Sequence, residues 1–308
     1  MRGYAVRILN FDDSVIQQRR LIEQFHPAVI ELKKIGPHAR LWTNQKNSQG
    51  IKEHLTPELR DAITFLGSGD FHHISRLLID QFNDPLSVII FDHHPDWSIL
   101  PPRLACGSWV NSLLEKKNIR KLILLGTSSD DLNTFSLQEG DLGSFKGNRL
   151  EIYPYLHRPS RVFLRRVPEN SSLKIKRHPF FTDISWQELE GKDLAGFFRS
   201  LIKRLPTKEV YLSIDKDCLK RNYALTNWEE GFFELEDLLL ALRLIKENLE
   251  IAGIDIVGDY SPVEVSGPIK KIVSRLDHPK DYSAKARPQA QINSLNQESN
   301  LKILEALK

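Results

Sequence analysis

The stretch VIIFDHHPDWS (88–98) constrains the fold of this chain more than any other. Its apolar half extends back to Leu86 as LSVIIF, short, β-branched and unbroken by polar alternation. Such a run reads as a strand covered on both faces, the mark of a central strand in a parallel sheet. Two aspartates and two histidines then fall within the next five positions. Ionisable groups do not gather at the end of a buried strand for stability, because buried unpaired charge is costly. Asp92, His94 and Asp96 stand at alternate positions, and a near-extended chain would project all three to one side.

The rest of the sequence repeats this alternation. YAVRILNF, AITFLG, LSVIIFD, KLILLGT, EVYLSID and IAGIDIV read as strands. Between them lie the amphipathic segments ISRLLIDQF, SWVNSLLEKK, KDLAGFFRSLIKRL and ELEDLLLALRLIKEN. In the last, Leu235, Leu238, Leu239, Leu242 and Ile245 follow helical spacing. The pattern predicts an α/β fold, three α/β/α layers around a mostly parallel sheet of about eight strands. Residues 130–180, rich in Gly, Asn, Arg and Pro, read as loops or an insertion over the sheet edge. Residues 284–298 are polar and weakly patterned, a linker to a short last helix, NLKILEALK. The expected division is one α/β domain over 1–283 and an appended linker and helix over 284–308.

Composition narrows the partners. A chain of 308 residues with 41% apolar and 27% charged residues is ordinary for a soluble protein, and a net charge of +3 is too small to argue for nucleic acid or an acidic membrane. No apolar run approaches about 20 residues, and MRGYAVRILNF is not a secretory signal. Cys106 and Cys218 form no paired-spacing motif, which suits a reducing cytoplasm. The expected partner is a small-molecule substrate, with the last helix a candidate surface for a homo-oligomer.

In open α/β sheets ligands bind at the carboxyl ends of the strands. The ionisable clusters fall there: AITFLG runs into GSGDFHH, VIIF into DHHPD, VYLSI into DKD and GIDIV into GDYSP. Six side chains would meet above the sheet: His72 or His73, Asp92, His94, Asp96, Asp215 and Asp217. Carboxylates mixed with imidazoles suit Mn²⁺, with Fe²⁺, Co²⁺ or Ni²⁺ as competitors, rather than a thiolate-rich zinc site. Four acids so close would repel one another without metal and would suit two cations sharing the site, where bridging water becomes a hydroxide nucleophile.

With these residues in view, the chain resembles the arginase, agmatinase and formiminoglutamase superfamily of binuclear manganese ureohydrolases. The marks are GSGDFHH for the family's GGDHS-like turn, DHHPD for its D-x-H-x-D and SIDKD for its D-x-D, in the family's order over roughly residues 60–265. TNWEEGFFELEDLL stands where the family has a Gly-rich turn leading into a helix. The resemblance implies an arginase-like fold and two Mn²⁺ per chain. It implies that His72, Asp92, His94, Asp96, Asp215 and Asp217 are the ligands, and that Asp96 also orients the bridging hydroxide.

Departures from the pattern matter as much. Cys106, in ACGSWV, occupies the place of the family's catalytic histidine, and a thiol cannot shuttle protons as imidazole does near neutral pH. The family's late glutamate falls in a D-I-x-E context, where this chain reads DIVGDYSP. Gly258 takes that place, and Asp259 is displaced by one, a shorter replacement or a plain loop acid. Lys216, between two ligand aspartates, is expected to point the other way and pair with another acid. Two further readings stand beside the hydrolase: a DHH-type manganese phosphoesterase, prompted by IIFDHH, and a non-catalytic metal-binding member of the same fold. The phosphoesterase expects a D-x-D pair upstream of its DHH, whereas here the pair lies downstream.

Overall fold

The computed structural model describes residues 4–55, 62–278 and 288–308. In chain order the strands are β1 (Ala5–Asn10), β2 (Ala28–Glu31), β3 (Ala62–Gly67), β4 (Leu86–Phe91), β5 (Ile119–Leu125), β6 (Leu150–Tyr153), β7 (Ser160–Phe163), β8 (Leu173–Arg177), β9 (Phe181–Trp186), β10 (Glu209–Asp215) and β11 (Glu250–Val257). Eight of them form one sheet in the order β2-β1-β3-β11-β10-β4-β5-β6, every pairing parallel. The expected α/β architecture, a parallel sheet of eight strands between two helical layers, is present. Residues of β4 divide between two apolar layers: Val88 and Ile90 join one, Ile89 and Phe91 the other. Strand β5 does the same with Leu122 and Leu124 against Ile123 and Leu125. Burial on both faces explains why these strands read as continuous apolar runs.

The helices follow the same division. Leu77 and Leu78 of Ser75–Ile79 and Trp109, Val110 and Leu113 of Trp109–Leu114 pack in the first layer. Phe198 and Leu201 of Leu194–Lys203 pack in the second, with Leu238, Leu242 and Ile245 of Leu235–Asn248. The stretch 130–180 holds β6, several 3₁₀ turns and part of a separate antiparallel sheet, β7-β9-β8. No described helix is long and apolar enough to cross a membrane.

The carboxyl-terminal segment departs from expectation. A single helix runs over Gln289–Leu307, so residues 289–298 are helix rather than linker. The proposed boundary at 283/284 lies outside the described residues. As far as Asn300 its buried side chains are mostly polar, which is why hydropathy hid it. Asn296 accepts from the Leu225 N–H at 2.9 Å and donates to its carbonyl at 2.8 Å, and Gln297 accepts from the Arg20 N–H at 2.9 Å. Farther on, Leu301, Ile303, Leu304 and Leu307 enter the core. Buried amides that satisfy backbone groups do the work that leucines do elsewhere.

Candidate metal centre

Strand order brings the acidic strand ends together. Strands β3, β11, β10 and β4 are consecutive neighbours in the sheet, although β10 and β11 come more than a hundred residues after β4. Past β3 the chain turns into a 3₁₀ segment, Gly69–Ile74, which carries His72. A Cβ on Gly69 would sit 2.9 Å from Asp215 Oδ2, so only glycine lets the turn approach that carboxylate. Past β4 the chain does not stay extended. Asp92 Oδ1 accepts from the His94 N–H at 2.6 Å, and Asp96 adopts φ +47°. Past β10, Asp215 caps a short 3₁₀ turn, accepting from the Asp217 N–H at 3.0 Å. Local turns, not alternation along a strand, aim the side chains at one point.

Five of the six residues form two overlapping groups, and the sixth, Asp215, lies beside them. Ligand atoms of His72, Asp92 and Asp96 lie within 4.8 Å of one another, as do those of Asp92, His94 and Asp217. His72 Nδ1 stands 3.0 Å from Asp92 Oδ2, 3.2 Å from Asp96 Oδ2 and 3.6 Å from Asp215 Oδ2. His94 Nδ1 is 2.9 Å from Asp217 Oδ2 and 3.8 Å from Asp92 Oδ1. Asp92 is common to both groups and Asp215 lies alongside the first. Of the adjacent histidines, His72 enters the cluster. His73 is buried elsewhere, and burial, with Lys270 and His72 near it, lowers its pKa to about 3.

Electrostatics at the cluster favour a cation. Burial, then the charges of Asp96 and Asp217, push the Asp92 carboxyl well above the usual range. Burial and Asp217 do the same to Asp215. Burial alone would lower the pKa of His72, but the Asp92 and Asp96 carboxylates beside it outweigh that and hold the ring well above its ordinary value. Asp92 Oδ2 is buried without an aligned hydrogen-bond donor. Divalent ions among these groups would displace the imidazole protons and relieve the carboxylate repulsion. The donor set and the orphaned oxygen therefore fit a metal centre.

The supporting residues were not singled out in the sequence. His72 Nε2 lies 2.9 Å from Ser213 Oγ, which donates to Asp255 Oδ1 at 2.7 Å, so a chain across β10 and β11 turns Nδ1 toward the acids. Trp109 Nε1 donates to Asp96 Oδ2 at 2.7 Å and fixes that carboxylate. His94 Nε2 meets Glu229 Oε2 at 3.1 Å. Trp228 donates to buried Asp70 at 3.0 Å, and Arg40 and His278 hold the same acid. An aspartate inside the apolar run GIDIV was the available signal for Asp255, since a charge there needs a partner.

A cleft of about 70 Å³ opens on the cluster, lined in addition by Gly69, Cys106, Gly107, Asp131 and Trp228. That is room for several water-sized species, each needing on the order of 10–15 Å³ in the same measure. Cys106 faces this cleft, and burial together with Asp96 and Asp70 pushes its thiol well above the usual range. Gly258 has φ +86°, and a Cβ there would lie 2.4 Å from Asp215 Oδ1, so no glutamate fits without displacing that carboxylate. Asp259 is not among the residues lining the cleft. Its Oδ1 accepts from Lys216 Nζ at 2.8 Å and Gln18 Nε2 at 2.7 Å, and Asn300 lies 3.2 Å away. Lys216 and Asp259 form a buried ion pair beneath the cluster.

No family model matches the chain. An uncharacterised protein of Thermotoga maritima is 27% identical over 260 residues, covering 84% of this chain and 81% of its own. Among solved structures, arginase from Bacillus subtilis superposes with a TM-score of 0.56 at 13% identity, covering 98% of both chains. Formiminoglutamase of Trypanosoma cruzi with Mn²⁺ gives 0.53 at 12% identity, covering 98% of this chain and 94% of that one. At such identities the likeness establishes a shared fold.

Proposed function

We propose that this chain, which has the fold of the ureohydrolases, is a divalent-metal hydrolase of a linear non-peptide C–N bond in a guanidino, amidino, formimino or amide compound. The observation that carries the reading is the pair of ligand groups sharing Asp92 at the carboxyl ends of β3, β4 and β10. His72, Asp92, His94, Asp96, Asp215 and Asp217 would hold two ions, Mn²⁺ being the best match to their mix of donors. Bound ions supply Lewis acidity and ease the ionisation of water at neutral pH. Asp96, held by the Trp109 N–H, would orient an attacking water and accept its proton. The Ser213–Asp255 chain keeps His72 in one tautomer, and Glu229 does the same for His94. Loading purified protein with Mn²⁺, counting bound metal and screening for ammonia, urea or formamide release tests the proposal. Protein that takes up no transition metal would sink it.

Cys106 bears on a second reading, a metal-binding protein of this fold without turnover. No imidazole other than His72 and His94 lines the cleft among the described residues, and a thiol held protonated is a poor proton shuttle. Cys106→His is therefore expected to raise turnover of substrates with poor leaving groups by about 10²-fold, within the range that general acid–base groups contribute. Arginine, agmatine and formiminoglutamate are the assay set. Unchanged rates at unchanged metal content would show that the leaving-group proton comes from elsewhere. Bound Mn²⁺ with no turnover in either form would favour the non-catalytic reading.

A further inference from the structure

The cleft holds more acid than metal ligation uses. Four ligand carboxylates, Asp92, Asp96, Asp215 and Asp217, balance at most two divalent ions, and His72 and His94 are neutral as ligands. Asp131 also lines the cleft, and Glu229 stands against the outer nitrogen of His94. No lysine or arginine lines the cleft among the described residues. Whether one ion or two are bound, the opening keeps a net negative charge. A cleft with one sign of charge concentrates ligands of the other sign.

Asp131 is exposed to solvent, yet it lines the cleft and its carboxylate is held in place. It sits at the start of a 3₁₀ turn where Ser129 Oγ donates to its Oδ2 at 3.2 Å, so the carboxylate is oriented. Trp228 completes the wall. Its N–H is committed to Asp70, leaving the indole ring as the surface that it offers to the cleft. The face of an indole ring attracts cations.

We infer that the substrate carries a cationic group, such as a free amine, at the end remote from its reacting carbon, and that Asp131 and the Trp228 ring select it over a carboxylate tail. The identity of the reacting end rests on the hydrolase reading above, whereas the charge preference is read from the cleft walls. Titration calorimetry on the Mn²⁺-loaded protein tests it with alkylguanidines of matched length ending in ammonium, methyl or carboxylate. Plain diamines and dicarboxylates are run beside them. The ammonium series is expected to bind more tightly than the carboxylate series by about tenfold or more, with a ratio that shrinks as salt rises. Asp131→Asn should bring the ratio close to one and Asp131→Lys should invert it, both at unchanged metal content by elemental analysis. Equal or tighter binding of carboxylate tails to the wild type, or a ratio indifferent to both substitutions, overturns the inference. Failure of the hydrolase reading looks different: ammonium compounds would still bind preferentially, but no C–N compound would release product.

Discussion

Asp92→Asn is expected to shift stability in opposite directions with and without metal. In metal-free protein the Asp92 carboxyl is pushed up by burial and by its neighbours Asp96 and Asp217, so removing its charge relieves repulsion. The melting temperature of the metal-free variant should equal or exceed that of the wild type. In excess Mn²⁺ the order reverses. A protein with free ion at a hundredfold over its Kd gains about 2.7 kcal/mol per site, and the variant forfeits this for at least one ion. Because Asp92 serves both ligand groups, no other single carboxylate should cost as much. Activity should fall by at least about 100-fold, the upper end of losses from disturbing even the outer partners of a metal site. Elemental analysis beside thermal melts checks both halves. A variant that keeps its full metal complement and its metal-induced rise in melting temperature would remove Asp92 from the centre.

Asp259→Ala should cost stability rather than metal. Its carboxylate is the buried counter-charge of Lys216, and both side chains are at most 1% exposed. Breaking such a pair from one side strands a charge and costs about 3–5 kcal/mol, whereas replacing both partners with apolar residues is often nearly neutral. The acid also accepts from Gln18, and Asn300 of the last helix reaches it, so the loss would loosen that helix. The double variant Asp259→Leu, Lys216→Met should recover most of the loss in denaturant midpoint. A residue acting on substrate would behave otherwise, with turnover lost at unchanged stability and no rescue by the second substitution. Retained stability with abolished turnover would restore Asp259 to a chemical role.

How far the sequence spoke depended on whether side chains or backbone carried the information. The central strands were legible because β4, β5 and β10 are covered on both faces and show as unbroken apolar runs. Strand β2, mostly exposed at the sheet edge, and β6, only four residues long, lack that signature. The convergence of the six cluster residues followed from their placement at strand ends, yet the expected reason was wrong in one respect. Alternation along an extended chain does not bring Asp92, His94 and Asp96 together; a turn with Asp96 at positive φ does. Ser213, Trp109 and Glu229 escaped because their roles come from partners distant in the chain. Gly258 was read as a missing glutamate, whereas its backbone conformation and the nearness of Asp215 leave no room for a side chain.

The strand order also governs when the centre can exist during synthesis. Strands β3 and β4 adjoin in sequence but are held apart in the sheet by β11 and β10. A ribosome that has released residues only as far as about 205 has made His72, Asp92, His94 and Asp96 but neither Asp215 nor Asp217. The emerging half can pair β1 with β3, and β4 with β5, yet each pair ends in an open, apolar edge awaiting a partner. Pairing across such long separations is slow, because the loop entropy is lost before the contacts form. Any metal that the cluster holds can meet all six residues only once β10 and β11 have inserted, and the interval before that is when the nascent chain is most exposed to aggregation.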